Sequence, residues 1–273
     1  MHRLNPPLER FRVLPGQPLD LHDIPTRFDA GIPKHEGKAL MHKLQKRLVE
    51  LQSLLYAEGK RSLLVVMQAM DAGGKDSTLR RVFGPVDPAG CHITSFKAPT
   101  AEELAQDFLW RVHQHTPRAG YIGVFNRSHY EDVVIVSIKN LVPKAKWQHR
   151  WDHINAFEKM LTDEGTVIRK FFLHISKDYQ KKRLQRRLDR PDKHWKFNVA
   201  DLDERARWDD YMRVYADTMT RTSFDHAPWL VVPAERRWLR DLLILKSLVD
   251  TLEAMAPQTP KPTFDPNTIT IPD

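Results

Sequence analysis

The sequence is short of several things, and each shortage narrows what the chain can be. It holds a single cysteine, Cys91, so no disulfide can form within it, and the composition suits a reducing, cytoplasmic setting. In its strand, Cys91 reads as a small core residue. No stretch approaches the roughly 18 uninterrupted apolar residues of a spanning helix. The opening Met-His-Arg-Leu-Asn-Pro-Pro leads into no apolar run of signal-peptide character. There is no internal repeat and no linker long enough to divide two domains. His149 and His153 have the helical spacing of a metal pair, but no glutamate follows His149 as a zinc protease requires, and the pair reads as a helix surface. An RNA-binding aromatic motif is also missing, the aromatics falling mostly at core spacing.

What is present is enough for one large α/β body: 273 residues, 41% of them apolar. Charge is unbalanced, with 43 Lys plus Arg against 35 Asp plus Glu and a formal net charge of +8. Such an excess points to a polyanionic partner (nucleic acid, phosphorylated metabolites or anionic lipid) and is silent about fold.

Residues 1–35 carry six prolines and no apolar stripe, which predicts an extended arm laid on the body. Leu40, Leu44, Leu48, Leu51 and Leu55 then recur at helical spacing over 36–56. Buried strands are expected at 62–67, 91–95, 121–125, 167–175 and 229–232. Between them lie a short helix through Leu79, Val82 and Phe83, and a helix opened by a capping box at Thr100 and Glu103 that carries Leu104, Phe108, Leu109 and Val112. Further helices are predicted at 129–139, 147–163, 177–189, 205–220 (with Trp208, Tyr211, Met212 and Tyr215 on one face) and 235–255. The tail 257–273 holds five prolines and reads as mobile or draped. Strands alternating with helices predict a parallel sheet covered on both faces, a three-layer α/β/α sandwich over 36–256 with a basic helical appendage near 177–205.

The most informative segment runs from strand 62–67 through Asp71-Ala72-Gly73-Gly74-Lys75 into a helix. Backbone N–H groups at a helix N-terminus attract phosphate oxygens, and Lys75 adds a point charge. The phosphate-loop pattern G-x-x-x-x-G-K-[ST] is matched only in its middle: Ala69 stands at the first glycine, Gly74-Lys75 fit, and Asp76 replaces Ser or Thr. Asp71 is out of place in an anion cradle unless a cation neutralises it, and Mg²⁺ takes one or two carboxylates plus phosphate oxygens. The plainer alternative is an ordinary turn with an exposed lysine. The third strand ends in Asn126-Arg127-Ser128-His129-Tyr130-Glu131-Asp132, and ligands of open α/β sheets sit beyond such carboxyl ends. Arg127 suits phosphate, and Glu131 or Asp132 could support the metal; equally, Ser128 and the acids could simply open a helix. Lys97 lies at the same edge. Six cations fill 181–190, with Arg183, Arg186, Arg187 and Arg190 on neighbouring turns, able to close over a phosphate chain or merely to face solvent.

Taken jointly, Met70-Asp71-Ala72-Gly73-Gly74-Lys75-Asp76, Thr94-Ser95-Phe96-Lys97-Ala98-Pro99-Thr100, Asp107-Phe108-Leu109-Trp110-Arg111, the run 125–132 and the Arg-rich stretch make the chain resemble the polyphosphate kinase 2 family over most of 36–256. The resemblance implies a thymidylate-kinase-like P-loop kinase fold with a helical lid, and transfer of phosphoryl groups between polyphosphate and a nucleoside mono- or diphosphate. It implies Mg²⁺ as cofactor, with Mn²⁺ as a substitute, and a homo-oligomer. Carried over, Asp71, Lys75, Arg127 and Glu131 would be catalytic. Ala72, Gly73, Gly74, Lys75, Asp76, Ser77, Lys97, Arg183 and Arg187 would bind phosphates, Asn126, Arg127 and Tyr130 the nucleotide, and Asp71 with Glu131 or Asp132 the metal. Two departures stand out. Gly73 replaces an alanine common in this loop. Asn126 to Glu131 replaces a frequent Asp-Arg-Ser-x-Tyr-Asn, which moves the carboxylate from the first position to the last. The subgroup most like this chain accepts both AMP and ADP. Two rival readings remain: an ATP-dependent nucleotide kinase of the same fold and a basic nucleic-acid-binding protein.

Overall fold

The computed structural model describes residues 8–272, so the first seven residues of the expected arm and the last residue of the tail lie outside the described residues. The helix α1 (Lys34–Glu58) buries Leu48, Leu51 and Leu55 and stops where Gly59 turns left-handed (φ 64°). Next come β1 (Ser62–Ala69), buried at every position, and α2 (Lys75–Val82). The strand β2 (Cys91–Ser95) leads to α3 (Ala101–Leu104), which opens on the expected Thr100–Glu103 capping box.

The chain breaks the single helix expected beyond Thr100. It restarts as α4 (Trp110–His113), because the Asp107 carboxylate accepts from the Leu109 and Trp110 N–H groups (2.9 and 3.0 Å) and caps a new turn. Then follow β3 (Ile122–Asn126), α5 (Glu131–Lys139), α6 (Lys144–Trp147), α7 (Arg150–Asp163) and β4 (Thr166–His174). The basic helix is α8 (Lys177–Leu188), joined by a 3-10 turn (Pro191–Lys196) to α9 (Ala200–Ala206). The helix expected at 205–220 is α10 (Trp208–Thr222), which buries Trp208, Tyr211, Met212, Tyr215 and Met219 on one face. The strand β5 (Trp229–Pro233) and α11 (Arg237–Met255) complete the body.

The five strands are all parallel, in the order β2-β3-β1-β4-β5. Helices α1, α2 and α11 pack together on one face, and α5, α7 and α10 on the other, giving the α/β fold in three layers. Continuous apolar runs in β1 and β5 follow from burial on both faces. At the β5 edge Arg12 bridges Leu230 in antiparallel sense, and the Val13 N–H donates to the Trp229 carbonyl (2.9 Å). Phe11, Val13 and Leu21 are buried there. The opposite edge, β2, is largely exposed. Among the described residues no helix is long and apolar enough to cross a membrane.

The core holds a charged cluster around Lys170. Lys170 Nζ donates to Glu158 Oε2 (2.5 Å), to Tyr130 Oη (2.8 Å) and to the Thr222 carbonyl (2.6 Å), all within the interior. Tyr130 Oη in turn donates to Glu158 Oε1 (2.7 Å), and His129 Nε2 lies 3.2 Å from the same oxygen. Burial alone would raise the Glu158 pKa, but Lys170 and His129 hold it below the usual carboxylate value. Removing one charge strands the other: Glu158→Gln is expected to cost about 3–5 kcal/mol in urea unfolding, while the paired Glu158→Leu, Lys170→Met variant loses much less.

Candidate active site

Register brings two turns together at the carboxyl end of the sheet. Met67 of β1 pairs with Asn126 of β3, and the Arg127 N–H donates to the Met67 carbonyl (3.1 Å). Beyond β1, the Gly73 N–H closes onto the Met70 carbonyl (3.0 Å), and Gly74 enters α2 with φ 103°, a conformation that favours glycine. Ala72 (φ 60°) and Arg127 (φ 62°) are also left-handed, although neither is a glycine. Such residues cost on the order of 1–3 kcal/mol each and persist where their surroundings hold them. Here they flank the cradle. Helix α2 is held from behind by a buried cluster: Asp241 accepts from Arg81 (2.8 Å) and Arg240 (2.8 Å), and Arg240 reaches Ser77 Oγ (3.2 Å).

Lys75 folds back so that its Nζ donates to the Ala69 carbonyl (3.0 Å). Burial draws its pKa below the usual lysine value against the pull of Asp71. Asp71 Oδ1 accepts from Arg127 (2.9 Å). Burial would raise this carboxyl, yet Lys75, a hydrogen bond with Glu204 and Arg127 together leave it below its ordinary value. Glu131 stands behind this pair. With its amide turned to satisfy both neighbours, Gln68 donates to Glu131 Oε1 (2.8 Å) and accepts from the Ser128 N–H (3.2 Å). Burial outweighs Arg127 and Lys75 and raises the Glu131 pKa. Asn126 ties the two turns to β2, donating to Asp76 Oδ1 (3.2 Å) and Ser95 Oγ (3.3 Å).

These groups open into a cavity of about 680 Å³. Twelve of its lining residues are Lys or Arg, and only Asp71 and Asp76 are acidic. Ala72, Gly73, Gly74, Lys75, Asp76, Ser77, Lys97, Arg183 and Arg187, the residues proposed from sequence to bind phosphate, all line it. Arg187 is fixed by Asp201 (3.1 Å) and the Lys196 carbonyl (3.1 Å). Arg183, Arg186 and Arg237 form no ion pair among the described residues. Burial lowers the Arg183 pKa, and its cationic neighbours Arg237, Arg186 and Arg187 add to the shift. A cationic cluster without counter-charge at a cavity wall is a receptacle for an anion.

Two expectations are corrected. Tyr130 makes no wall for a nucleotide; it is wholly buried, and its hydroxyl belongs to the Glu158–Lys170 cluster. Asp132 does not join Asp71; it pairs with Arg111 (3.1 Å) and lies 3.9 Å from Arg150, because α5 begins at Glu131 and the next side chain points roughly 100° further round. Among the described residues no three His, Cys, Asp or Glu side chains converge as a ready-made metal cage. The donor set nonetheless fits Mg²⁺, which keeps waters and takes few carboxylates. Glu204 stands beside Asp71 and its carboxyl is raised by burial and by that neighbour, and burial raises Glu131 against the pull of Arg127 and Lys75.

Sequence reading missed Arg80, Arg81 and Arg237 in the cavity wall, and Glu204. Arg237 follows the carboxyl end of β5, so applying the strand-end rule to every strand would have found it. Glu204 carries no such signal, since only the path of the chain after α8 brings it to Asp71.

Residues 31–260 match the sequence profile of the family described as Polyphosphate kinase 2. The chain belongs to the polyphosphate kinase 2 family. It is 51% identical over 259 residues to the AMP/ADP-polyphosphate phosphotransferase of Meiothermus ruber, covering 93% of this chain and 96% of that one. It is 42% identical to the ADP-polyphosphate phosphotransferase of Rhodopseudomonas palustris, covering 93% of each. The crystal structure of polyphosphate kinase 2 from Arthrobacter aurescens TC1 superposes with a TM-score of 0.91 at 44% identity, over 96% of this chain and 94% of that one. The fold is thus the P-loop kinase fold of this family of phosphotransferases.

The Gly73 departure from the common alanine has a steric reason. A methyl at Gly73 would lie 2.7 Å from Ala69 Cβ and 2.8 Å from the Met70 carbonyl. Gly73→Ala is therefore expected to destabilise by about 1–3 kcal/mol in thermal unfolding, and adding Ala69→Gly recovers part of that loss. Glu131 gives a second expectation. Its folded pKa is raised, so its stabilising contribution is complete below the unfolded value of 4.5 and is lost as pH rises through the folded value. At pH 7.5 Glu131→Gln should raise the melting temperature of the ligand-free protein by about 2–4 °C, a gain that disappears near pH 4.

Proposed function

We propose that this chain is a Mg²⁺-dependent phosphotransferase that moves terminal phosphoryl groups of inorganic polyphosphate onto AMP and ADP, reversibly. The observation that carries the reading is the Asp71–Arg127–Lys75 constellation, set at the mouth of a cavity whose wall holds twelve Lys or Arg against two Asp. Family membership and the names of the relatives support the choice of donor and acceptor. By the same resemblance the working form is a homo-oligomer.

Both substrates are polyanions, so the obstacle is their mutual repulsion. An acceptor phosphate oxygen attacks the terminal phosphorus, a new P–O bond forms, and the bond to the rest of the polyphosphate breaks, its electrons leaving with the shortened chain. The attacking oxygen is already ionised, so no strong general base is needed. Lys75 and Arg127 face the reacting phosphates, while Arg183 and Arg187 approach from α8, and together they offset the charge that separates the substrates. Asp71, with Glu131 and Glu204 beside it, would hold Mg²⁺, which supplies further neutralisation of phosphate oxygens. Asn126 keeps the two turns in register through Asp76.

The test is an assay with polyphosphate, Mg²⁺ and either AMP or ADP, with no ATP added. The wild type should form ADP from AMP and ATP from ADP, and EDTA should stop both. Asp71→Asn and Lys75→Ala should each reduce turnover about a hundredfold or more while leaving the circular dichroism spectrum unchanged. A wild type that phosphorylates nothing without ATP, or variants of near-normal activity, would overturn the reading.

A further inference from the structure

One wall of the cavity is out of character. Trp195, in the 3-10 turn between α8 and α9, lines it while remaining 77% exposed. Among the described residues the only other aromatic there, Phe96, is 7% exposed and packed edge-on against Phe125. Nearly everything else in the lining is cationic or small and polar. A polyphosphate chain is charged along its whole length and offers no face that an indole could cover. Of the two substrates, only the nucleotide has a flat, polarisable surface, its base.

The indole is also held in place. Its Nε1 donates to the Asp192 carbonyl (3.1 Å), and Lys196 Nζ stands 4.7 Å from the ring centroid. The turn is pinned at both ends, by Arg187 donating to the Lys196 carbonyl (3.1 Å) and by His194 Nε2 at 2.8 Å from the Leu188 carbonyl. Asp192 is itself clamped by Arg190 (3.0 Å) and Lys193 (2.8 Å). The cationic α8 and the aromatic turn are therefore one mechanical unit: Arg187, which faces the phosphates, is hydrogen-bonded to the residue next to Trp195.

We propose that Trp195 is a specificity-determining residue, the platform on which the nucleobase of the acceptor stacks. This rests on the nucleotide-acceptor reading above and deepens it. Stacking accepts any base through its π-face, so the platform selects nucleotides over phosphates without a nucleoside and discriminates weakly among bases.

The experiment compares binding of ADP with binding of pyrophosphate, which offers the same two phosphates without a nucleoside, by calorimetry on wild type, Trp195→Leu and Trp195→Phe. Wild type should bind ADP more tightly than pyrophosphate. Trp195→Leu should weaken ADP about 5- to 100-fold and pyrophosphate less than about twofold, with Trp195→Phe recovering most of the loss. In turnover, the KM for ADP should rise in the leucine variant without a matching rise in the KM for polyphosphate. Equal losses for both ligands, no loss for ADP, or leucine performing as well as phenylalanine would overturn the proposal. So would a shift in sedimentation with ADP binding intact, which would make Trp195 a contact between copies of this chain. The binding comparison needs no catalysis. A wild type that binds ADP better than pyrophosphate but transfers nothing from polyphosphate would sink the phosphotransferase reading and leave the stacking result standing.

Discussion

Everything at the site depends on the parallel pairing of β1 with β3. Their register puts the turn after Met70 beside the turn after Asn126, with the Arg127 N–H bonded to the Met67 carbonyl. Slipping one strand by a residue would reverse the direction of every side chain on it and separate Asp71 from Arg127. The register is enforced from two sides. Apolar side chains of both strands are buried, and behind Arg127 the Ser128 hydroxyl accepts from the Tyr130 N–H while Tyr130 is anchored to Glu158 and Lys170. The left-handed Arg127 is thus held by a core network whose members never meet the cavity.

The molecule handles charge in two opposite ways only a few residues apart. Inside, Lys170 and Glu158 satisfy each other and their neighbours, leaving little field outside. In the cavity, Arg183, Arg186 and Arg237 have no ion-pair partner among the described residues. That arrangement works against the folded state through self-repulsion, and it is tolerated because a polyanion relieves it on binding. Asp71 is one of two carboxylates in the wall, and against the effect of burial Lys75 and Arg127 help hold its carboxyl below the usual value.

Much of this was legible in the sequence because the signals were local. A strand of Leu, Val and Met running into Asp71-Ala72-Gly73-Gly74-Lys75 specifies its own geometry, and the Thr100 box opens its helix as read. What was not legible depends on phase or on sheet order. Tyr130, Glu131 and Asp132 are adjacent in sequence, yet the first points into the core, the second toward Lys75 and the third to Arg111, and a polar run carries no mark of which side is which. The break in the helix beyond Thr100 escaped notice because an aspartate side chain makes it, with no glycine or proline to announce it. Glu204 reaches the site from α9, whose neighbours are set by the tertiary arrangement alone.

The N-terminal segment crossing β5 has an effect on how such sheets can meet. Arg12 and Val13 occupy hydrogen-bonding groups along that border, whereas β2 leaves its own largely uncovered. A sheet with one free border can pair with a copy of itself and then stop. A sheet with two can add copies without end. The proline-rich strap thus caps part of the β5 border, so that of the two borders β2 is the one more open to strand addition.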